Sequence, residues 1–253
     1  MDVINTLGLF IGSLLSNTLA SLSGGGAGLI QFPLLIFLGL PFAVALATHK
    51  VASVALGLGA AFKHCRSGQL DWQLTSYIIF TGAIGVIIGA NLILFVPGRI
   101  AEALLGLLIL GLGIYSLFQQ QLGQQEQLRH RDTKGLVIGG IGLAAIGILN
   151  GSLTAGTGLF VTLFLVRWFG FDYKQAVALT LVSVGLFWNG IGAGTMYLAE
   201  AEIYWPWLPV LLAGSLLGGY WGAHLAHQKS NRLIKRCFET LTFIIGLKLL
   251  LGL

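Results

Sequence analysis

Hydrophobic residues run through this chain in long blocks with no charge inside them. Neither Asp, Glu, Lys nor Arg occurs from Val3 to His49, Trp72 to Gly98, Ala103 to Gln125, Gly135 to Val166, Gln175 to Ala199 or Ile203 to Gln228. Each run exceeds the roughly 20 apolar residues that cross a bilayer's hydrocarbon core as a helix. Gly, Pro and charge cluster at the breaks. They predict helices at about 3–22, 29–39, 42–62, 73–96 and 100–118, then a Gln-rich polar linker. A second set follows at about 135–153, 158–169, 173–198, 205–226 and 232–252. The runs are too long for barrel strands and lack their alternation, which excludes a transmembrane β-barrel. The segments at 29–39 and 158–169 are too short to cross as straight helices, so they either cross by another route or form re-entrant hairpins.

Composition agrees. Only 9% of the 253 residues are charged and 56% are apolar, whereas soluble domains average about 25% charged. The longest polar stretch, Gln119 to Lys134, leaves no room for an appended soluble domain. The basic residues sit in short inter-helix loops, so the pI near 9.4 does not point to nucleic acid. Cys65 and Cys237 flank basic loops without metal-ligand spacing and read as cytosol-facing thiols. Neither a metal nor a cofactor is expected. Met1-Asp2 lacks the basic start of a cleaved signal peptide, so Val3 onward reads as a retained helix.

The two sets of helices match each other. Gly26-Ala27-Gly28 aligns with Gly156-Thr157-Gly158, and Ala45-Leu46-Ala47 with Ala176-Val177-Ala178; Gly39 falls one residue out of step with Gly170. At a steady offset of 133, Trp72 meets Trp205, Gly85 meets Gly218, Gly89-Ala90 meets Gly222-Ala223 and Arg99 meets Arg232. The equivalent loops carry opposite charge patterns. Lys63 and Arg66 face Glu200 and Glu202, while lone Arg99 faces Lys229, Arg232, Lys235 and Arg236. Basic loops stay cytoplasmic, so the halves are oppositely oriented. The expected fold is all-α: a polytopic membrane protein of two inverted repeats, 1–118 and 135–253, joined by a cytoplasmic linker at 119–134. Each repeat has about five helical segments with Gly-broken or re-entrant helices. With Lys50 set aside as intramembrane, 11 basic residues fall inside; Arg99 and Lys248 fall outside, with both termini extracytoplasmic.

Gly-interrupted helices at matching positions of inverted repeats point to a transporter's central site. Here they are Ser23-Gly24-Gly25-Gly26-Ala27-Gly28 and Gly151-Ser152-Leu153-Thr154-Ala155-Gly156-Thr157-Gly158. Glycine lets the chain leave helical geometry, and the next half-helix then presents free N–H groups and its positive dipole end to an anion. Ser23, Ser152, Thr154 and Thr157 add hydroxyls. Close packing of small residues is the alternative reading. The second feature is Thr48-His49-Lys50 with Ser53. Lys50 falls near the bilayer midplane, where a cation costs about 2.5–3.5 kcal/mol on insertion scales. No Asp or Glu lies at comparable depth, so an anionic substrate is the expected partner. His49 either carries a proton or only hydrogen-bonds the break. The matched positions in the second half are Leu179, Thr180 and Leu181, so the charge occurs once. Gln31 and Asn150 are further candidates; Thr162, Ser183, Trp188 and Asn189 read mainly as contacts between helices. Gly82, Gly85 and Gly89 form a tight face that packs either within the chain or between protomers of a homo-oligomer.

These residues resemble the TauE/SafE family of sulfite and organosulfonate exporters over nearly the whole chain. The resemblance rests on Gly24-Gly25-Gly26-Ala27-Gly28-Leu29-Ile30-Gln31-Phe32-Pro33-Leu34-Leu35, on Leu38-Gly39-Leu40-Pro41, on Ala45-Leu46-Ala47-Thr48-His49-Lys50 and on Leu70-Asp71-Trp72. It implies a helical permease of the plasma (inner) membrane that moves sulfur-containing or related organic anions. It carries over Gly24, Gly25, Gly26, Pro33, Thr48 and Lys50 as motif residues. Two positions depart from the family pattern: His49 stands where Asn is frequent, and the second Gly-Gly-Gly is reduced to Gly156-Thr157-Gly158.

The expected function is therefore a secondary transporter for a small anion, a sulfite or organosulfonate-like oxyanion, moved by alternating access. Its partners would be the lipid bilayer and that anion. No nucleotide-binding motif is present, so a gradient or the membrane potential must supply the energy. A channel, a structural subunit and a membrane-embedded enzyme are the rivals. The enzyme lacks any clustered acid, base or metal set, since the histidines are scattered.

Overall fold

The computed structural model describes residues 3–23, 27–66, 70–118, 127–225 and 243–252. The candidate residues Gly24, Gly25 and Gly26, most of the linker, Cys237 and the loop bases Lys229, Arg232, Lys235 and Arg236 lie outside them. The described residues are helical, without a strand: α1 (Val3–Ser23), α2 (Ala27–Phe37), α3 (Phe42–Arg66), α4 (Trp72–Leu92), α5 (Gly98–Phe118), α6 (Thr133–Ser152) and α7 (Thr157–Phe164). α8 (Tyr173–Thr180), α9 (Asn189–Leu198), α10 (Leu208–Leu225) and α11 (243–251) follow. The segment expected at 173–198 is one continuous helix, but its middle, Leu181–Trp188, is π-helical. α7 also ends in a π-helical turn, Leu165–Phe169.

Local chemistry sets the ends. Asp71 Oδ1 accepts from the N–H groups of Gln73 (3.0 Å) and Leu74 (3.1 Å), which caps α4. Asp172 does the same for α8 through Gln175 N–H at 3.1 Å. Gly39 (φ +97°) and Gly170 (φ +75°) take the left-handed conformation just beyond the two short helices, where glycine is favoured.

Among the described residues, five stretches are long and apolar enough to cross a membrane: Phe42–Phe62, Trp72–Phe95, Gly98–Tyr115, Thr133–Ser152 and Tyr173–Leu198. The exterior is apolar, with Phe62, Phe80, Phe95 and Leu198 each at least 66% exposed. The polar side chains of Ser13, Asn17, Gln31, His49, Lys50 and Asn150 are buried instead. This arrangement suits lipid as the solvent.

The short helices fold back. Gln31 reaches Ser13, and Leu34 lies against Gly12, so α2 returns antiparallel along α1. At the other hairpin, Trp168 Nε1–H donates to Gly135 O (3.1 Å). Nearby, the N–H groups of Gln127 and Arg129 donate to Gly170 O (2.7 Å) and Phe169 O (2.9 Å). α7 therefore ends where α6 begins. At 1.5 Å per residue, the 11 residues of α2 span roughly 16 Å, about half a hydrocarbon core.

Glycine faces set the main helix contacts. Gly85 and Gly89 of α4 touch the backbone of α6 at Ala144 and Ile148. Gly218 and Gly222 of α10 touch the backbone of α1 at Leu14 and Thr18. Both pairs run parallel. Gly82 accommodates the fully buried Trp188, whose indole N–H donates to Ile78 O at 3.2 Å. The Gly82–Gly85–Gly89 face is thus covered within the chain. α3 crosses the π-helical stretch with backbone in contact at Gly57 and Gly185.

Candidate functional site

The two helix breaks meet. Between α6 and α7 the chain turns through Thr154 (φ +61°) and Gly156 (φ +69°). A Cβ on Gly28, in the first turn of α2, would lie 2.8 Å from Thr154 Cγ2 and 3.1 Å from Ala155 Cα. Only glycine allows that approach. Beside this contact lies a cavity of about 30 Å³. The N-terminal residues of both half-helices line it: Ala27 and Gly28 from α2, Thr157 and Gly158 from α7. The positive ends of two helix dipoles thus face one space.

His49, Ser53 and Leu56 of α3 form another wall; Asn150, Thr154 and Gly156 form the floor. Thr180, Leu181, Val184, Gly185 and Asn189 close the far side. All four residues of the wall and floor that carry side-chain polar groups beyond a hydroxyl or have one, namely His49, Ser53, Asn150 and Thr154, are held by hydrogen bonds. Thr157 Oγ1 donates to Thr154 O (2.7 Å) and accepts from Asn150 Nδ2 (2.8 Å). This leaves Asn150 Oδ1 buried without a donor, and Asn189 Oδ1 is in the same condition.

Lys50 does not line the cavity. It is fully buried behind the floor, where its ammonium donates to Asn150 O (2.7 Å) and Thr154 Oγ1 (2.8 Å). Asn150 O is among the last carbonyls of α6, which have no partner in their own helix. The cation therefore sits on the negative end of the α6 dipole. From sequence alone an anionic substrate is the expected partner of Lys50, because no Asp or Glu lies at that depth. The structure supplies a partner of another kind, a helix terminus.

His49 is the cavity end of a buried chain. Its Nδ1–H donates to Gln31 Oε1 (2.9 Å), and its Nε2 accepts from Ser53 Oγ at 3.1 Å. Gln31 Nε2 donates to Ser13 Oγ (2.8 Å), which donates to Leu211 O at 2.9 Å. Asn17 Nδ2 and Ser215 Oγ, 3.0 Å apart, join the same cluster. Both ring nitrogens are matched in the neutral form. Gln31 acts through His49 and stands back from the cavity.

Two other candidates are turned elsewhere. Thr48 Oγ1 accepts from Tyr204 N–H (2.9 Å), tying α3 to the segment before α10. Ser152 Oγ donates to Ile148 O (2.8 Å) within its own helix. Thr180, Leu181 and the π-helical residues beyond them were missed as lining. The repeat alignment had matched Thr180 and Leu181 to His49 and Lys50, which was the available signal. Thr162 Oγ1 donates to Thr180 Oγ1 (3.0 Å), as Gln31 pairs with His49.

Comparison with known proteins places this architecture. The chain is 28% identical over 241 residues to a "probable membrane transporter protein" of Haemophilus influenzae, covering 95% of this chain and 92% of that protein. It is 27% identical over 245 residues to the "probable membrane transporter protein YfcA" of Escherichia coli K12, covering 96% and 88%. YdhB of Bacillus subtilis, named in the same way, is 25% identical over 243 residues, covering 94% and 96%. No solved structure matches. The sulfite exporter TauE/SafE family matches residues 9–249, nearly the whole chain. The chain is a membrane transporter and belongs to the sulfite exporter TauE/SafE family.

Proposed function

We propose that the chain is a secondary transporter of the plasma membrane that carries a small sulfur oxyanion, sulfite or an organosulfonate-like anion, by alternating access. The observation that carries the reading is the convergence of two half-helix N-termini, α2 at Ala27–Gly28 and α7 at Thr157–Gly158, on one buried cavity. Helix N-termini bind oxyanions through free N–H groups and the dipole. Lys50 adds positive charge from behind Asn150 and Thr154. The hydroxyls of Ser53, Thr154 and Thr157 and the His49 ring complete the wall.

Alternating access needs two related halves, and the contacts support them. Gly85 meets Ala144 O and Ile148 N, while Gly218 meets Leu14 O and Thr18 N. The glycines are offset by 133 and their partners by 130, so one contact occurs twice, each time between a helix of one half and a helix of the other. Gln31–His49 and Thr162–Thr180 repeat at an offset of 131. The described charges also fit opposed halves with extracytoplasmic termini: Arg99 and Lys248 share one end with α2's exit, where Lys248 lies over Phe37 and Arg99 caps α11. A cavity of about 30 Å³ holds roughly one water molecule. An oxyanion therefore enters only when the two tips part.

The test is uptake by proteoliposomes together with thermal stabilisation by a panel of anions. Sulfite or a short sulfonate should stabilise the protein, as ligands of the native state do, and show saturable counterflow. Asn150→Leu, which removes the floor amide at similar volume, should abolish both. Equal shifts with chloride and every oxyanion would overturn the substrate class; unitary currents would replace the carrier with a channel.

A further inference from the structure

A second feature lies away from the transport cavity. An open groove of about 360 Å³ runs between α5, α6 and α7. Its walls are Tyr115, Ile146, Phe160, Leu163 and Phe164, with Arg167 and Trp168 at the end where α7 exits. α5 touches the break through Leu112, which lies against Gly156, and one turn further on its Tyr115 lines the groove. Phe160 and Arg167 are seven residues apart on α7, so the apolar trough extends roughly 10 Å from its charged end. An apolar trough that ends in a tryptophan and a cation has the layout of a bilayer's acyl-to-headgroup boundary.

The charged end is more basic than Arg167 alone. Residues 127–131 are laid along Trp168–Phe171 by backbone hydrogen bonds, and the His130 ring stacks on Trp168 with centroids 4.3 Å apart. His130 Nδ1 also donates to Trp168 O at 2.7 Å. This strap brings Arg129 and Arg131 to the same end, where α6 and α8 begin with Lys134 and Lys174 in their first turns. Arg131 lies 5.1 Å over the Phe171 ring. Two acids share the end. Asp172 is occupied as the cap of α8, and Asp132 precedes α6. Among the described residues no carboxylate pairs with Arg167, Arg129 or Lys174.

We propose that this groove binds an anionic phospholipid of the leaflet at that end. One acyl chain lies along Leu163 and Phe164, and the phosphate sits against Arg167 with Arg129 as its second cation. The charge complementarity selects an anionic headgroup over a zwitterionic one. The Trp168 ring, next to Arg167 in the chain, sits where amphipathic aromatics meet headgroups. Because α7 carries Thr157 and Gly158 into the transport cavity, a lipid wedged against it would also steady that hairpin. The lipid site does not depend on the identity of the transported anion.

The test uses the full chain in phosphatidylcholine nanodiscs titrated with brominated lipids, whose chains quench nearby tryptophans such as Trp168. Brominated phosphatidylglycerol should quench at lower mole fraction than brominated phosphatidylcholine. Arg167→Gln should weaken that preference about fivefold, the usual effect of one interfacial basic residue. Leu163→Phe, which fills the trough without altering charge or adding a tryptophan, should reduce quenching by both lipids. Soluble glycerol phosphate should not compete. Equal quenching by the two lipids, a preference unchanged in Arg167→Gln, or displacement by glycerol phosphate would each overturn the proposal.

Discussion

Replacing Lys50 by Met separates the two roles an intramembrane cation can have. The ammonium makes two hydrogen bonds, to Asn150 O and Thr154 Oγ1. Bonds to charged groups contribute about 1.5–3 kcal/mol each, so the variant loses roughly 3–6 kcal/mol of contacts. It also loses a counter-charge at the end of α6, worth about 0.3–2 kcal/mol. Against this, it no longer buries an ammonium, which costs several kcal/mol even after relaxation. Met nearly fills the Lys volume, and Asn150 O keeps its bond from Thr154 Oγ1 at 2.9 Å. The terms nearly cancel, so Lys50→Met should unfold within about 2 kcal/mol of the parent. Lys50→Ala adds a cavity and should lose a further 2–5 kcal/mol. Transport should respond differently. The Met variant leaves Thr154 untied from α3 and removes the charge behind the cavity, so sulfite uptake in proteoliposomes should fall more than about tenfold, a loss equal to a single charged hydrogen bond. Thermal unfolding in detergent gives the stability arm and flux gives the other. A Met variant that transports like the parent would refute the role assigned to the ammonium.

Three further outcomes follow from the geometry. Gly89→Ala and Gly222→Ala both press a methyl onto a backbone carbonyl, of Ile148 and Thr18; overpacking costs about 1–3 kcal/mol, and the two should lower the midpoint by similar amounts if the halves are equivalent. Thr154 pays for its left-handed φ with strain, so Thr154→Gly recovers about 1–2 kcal/mol while losing the bond from Lys50, and it should be more stable than Thr154→Val, which keeps the strain and loses the bond; denaturation midpoints check the order. Asp71→Ala removes the α4 cap and should cost about 1 kcal/mol without changing the apparent affinity for the anion, measured by flux against concentration.

How far the sequence carries the fold is clear from particular helices. Charge-free runs and Gly–Pro breaks located every described helix to within a few residues, because the lipid solvent imposes long apolar segments. The steady offset of Gly85 and Gly89 from Gly218 and Gly222 was also legible, since backbone contact tolerates no side chain. The partner of Lys50 was not. Reading charges pairs side chains with side chains, whereas Asn150 O is a main-chain carbonyl exposed by the end of a helix. The π-helical Leu181–Trp188 was equally hidden, because in a uniformly apolar run no polar periodicity distinguishes one helical pitch from another. Thr48 and Ser152 carried the right chemistry at the right depth. Helix phase turned Thr48 toward Tyr204 and Ser152 back onto α6.

The burial of one ammonium with no carboxylate beside it among the described residues has an electrical consequence. An empty site backed by Lys50 would carry one positive charge, and a site loaded with a monoanion would carry none. A membrane potential of 100 mV is worth up to about 2.3 kcal/mol per charge, roughly a fifty-fold bias in population. An inside-negative membrane would then favour the empty carrier open to the cytoplasm and leave the loaded carrier indifferent. Voltage would reset the carrier after each release outside, and net export would proceed without a coupling ion.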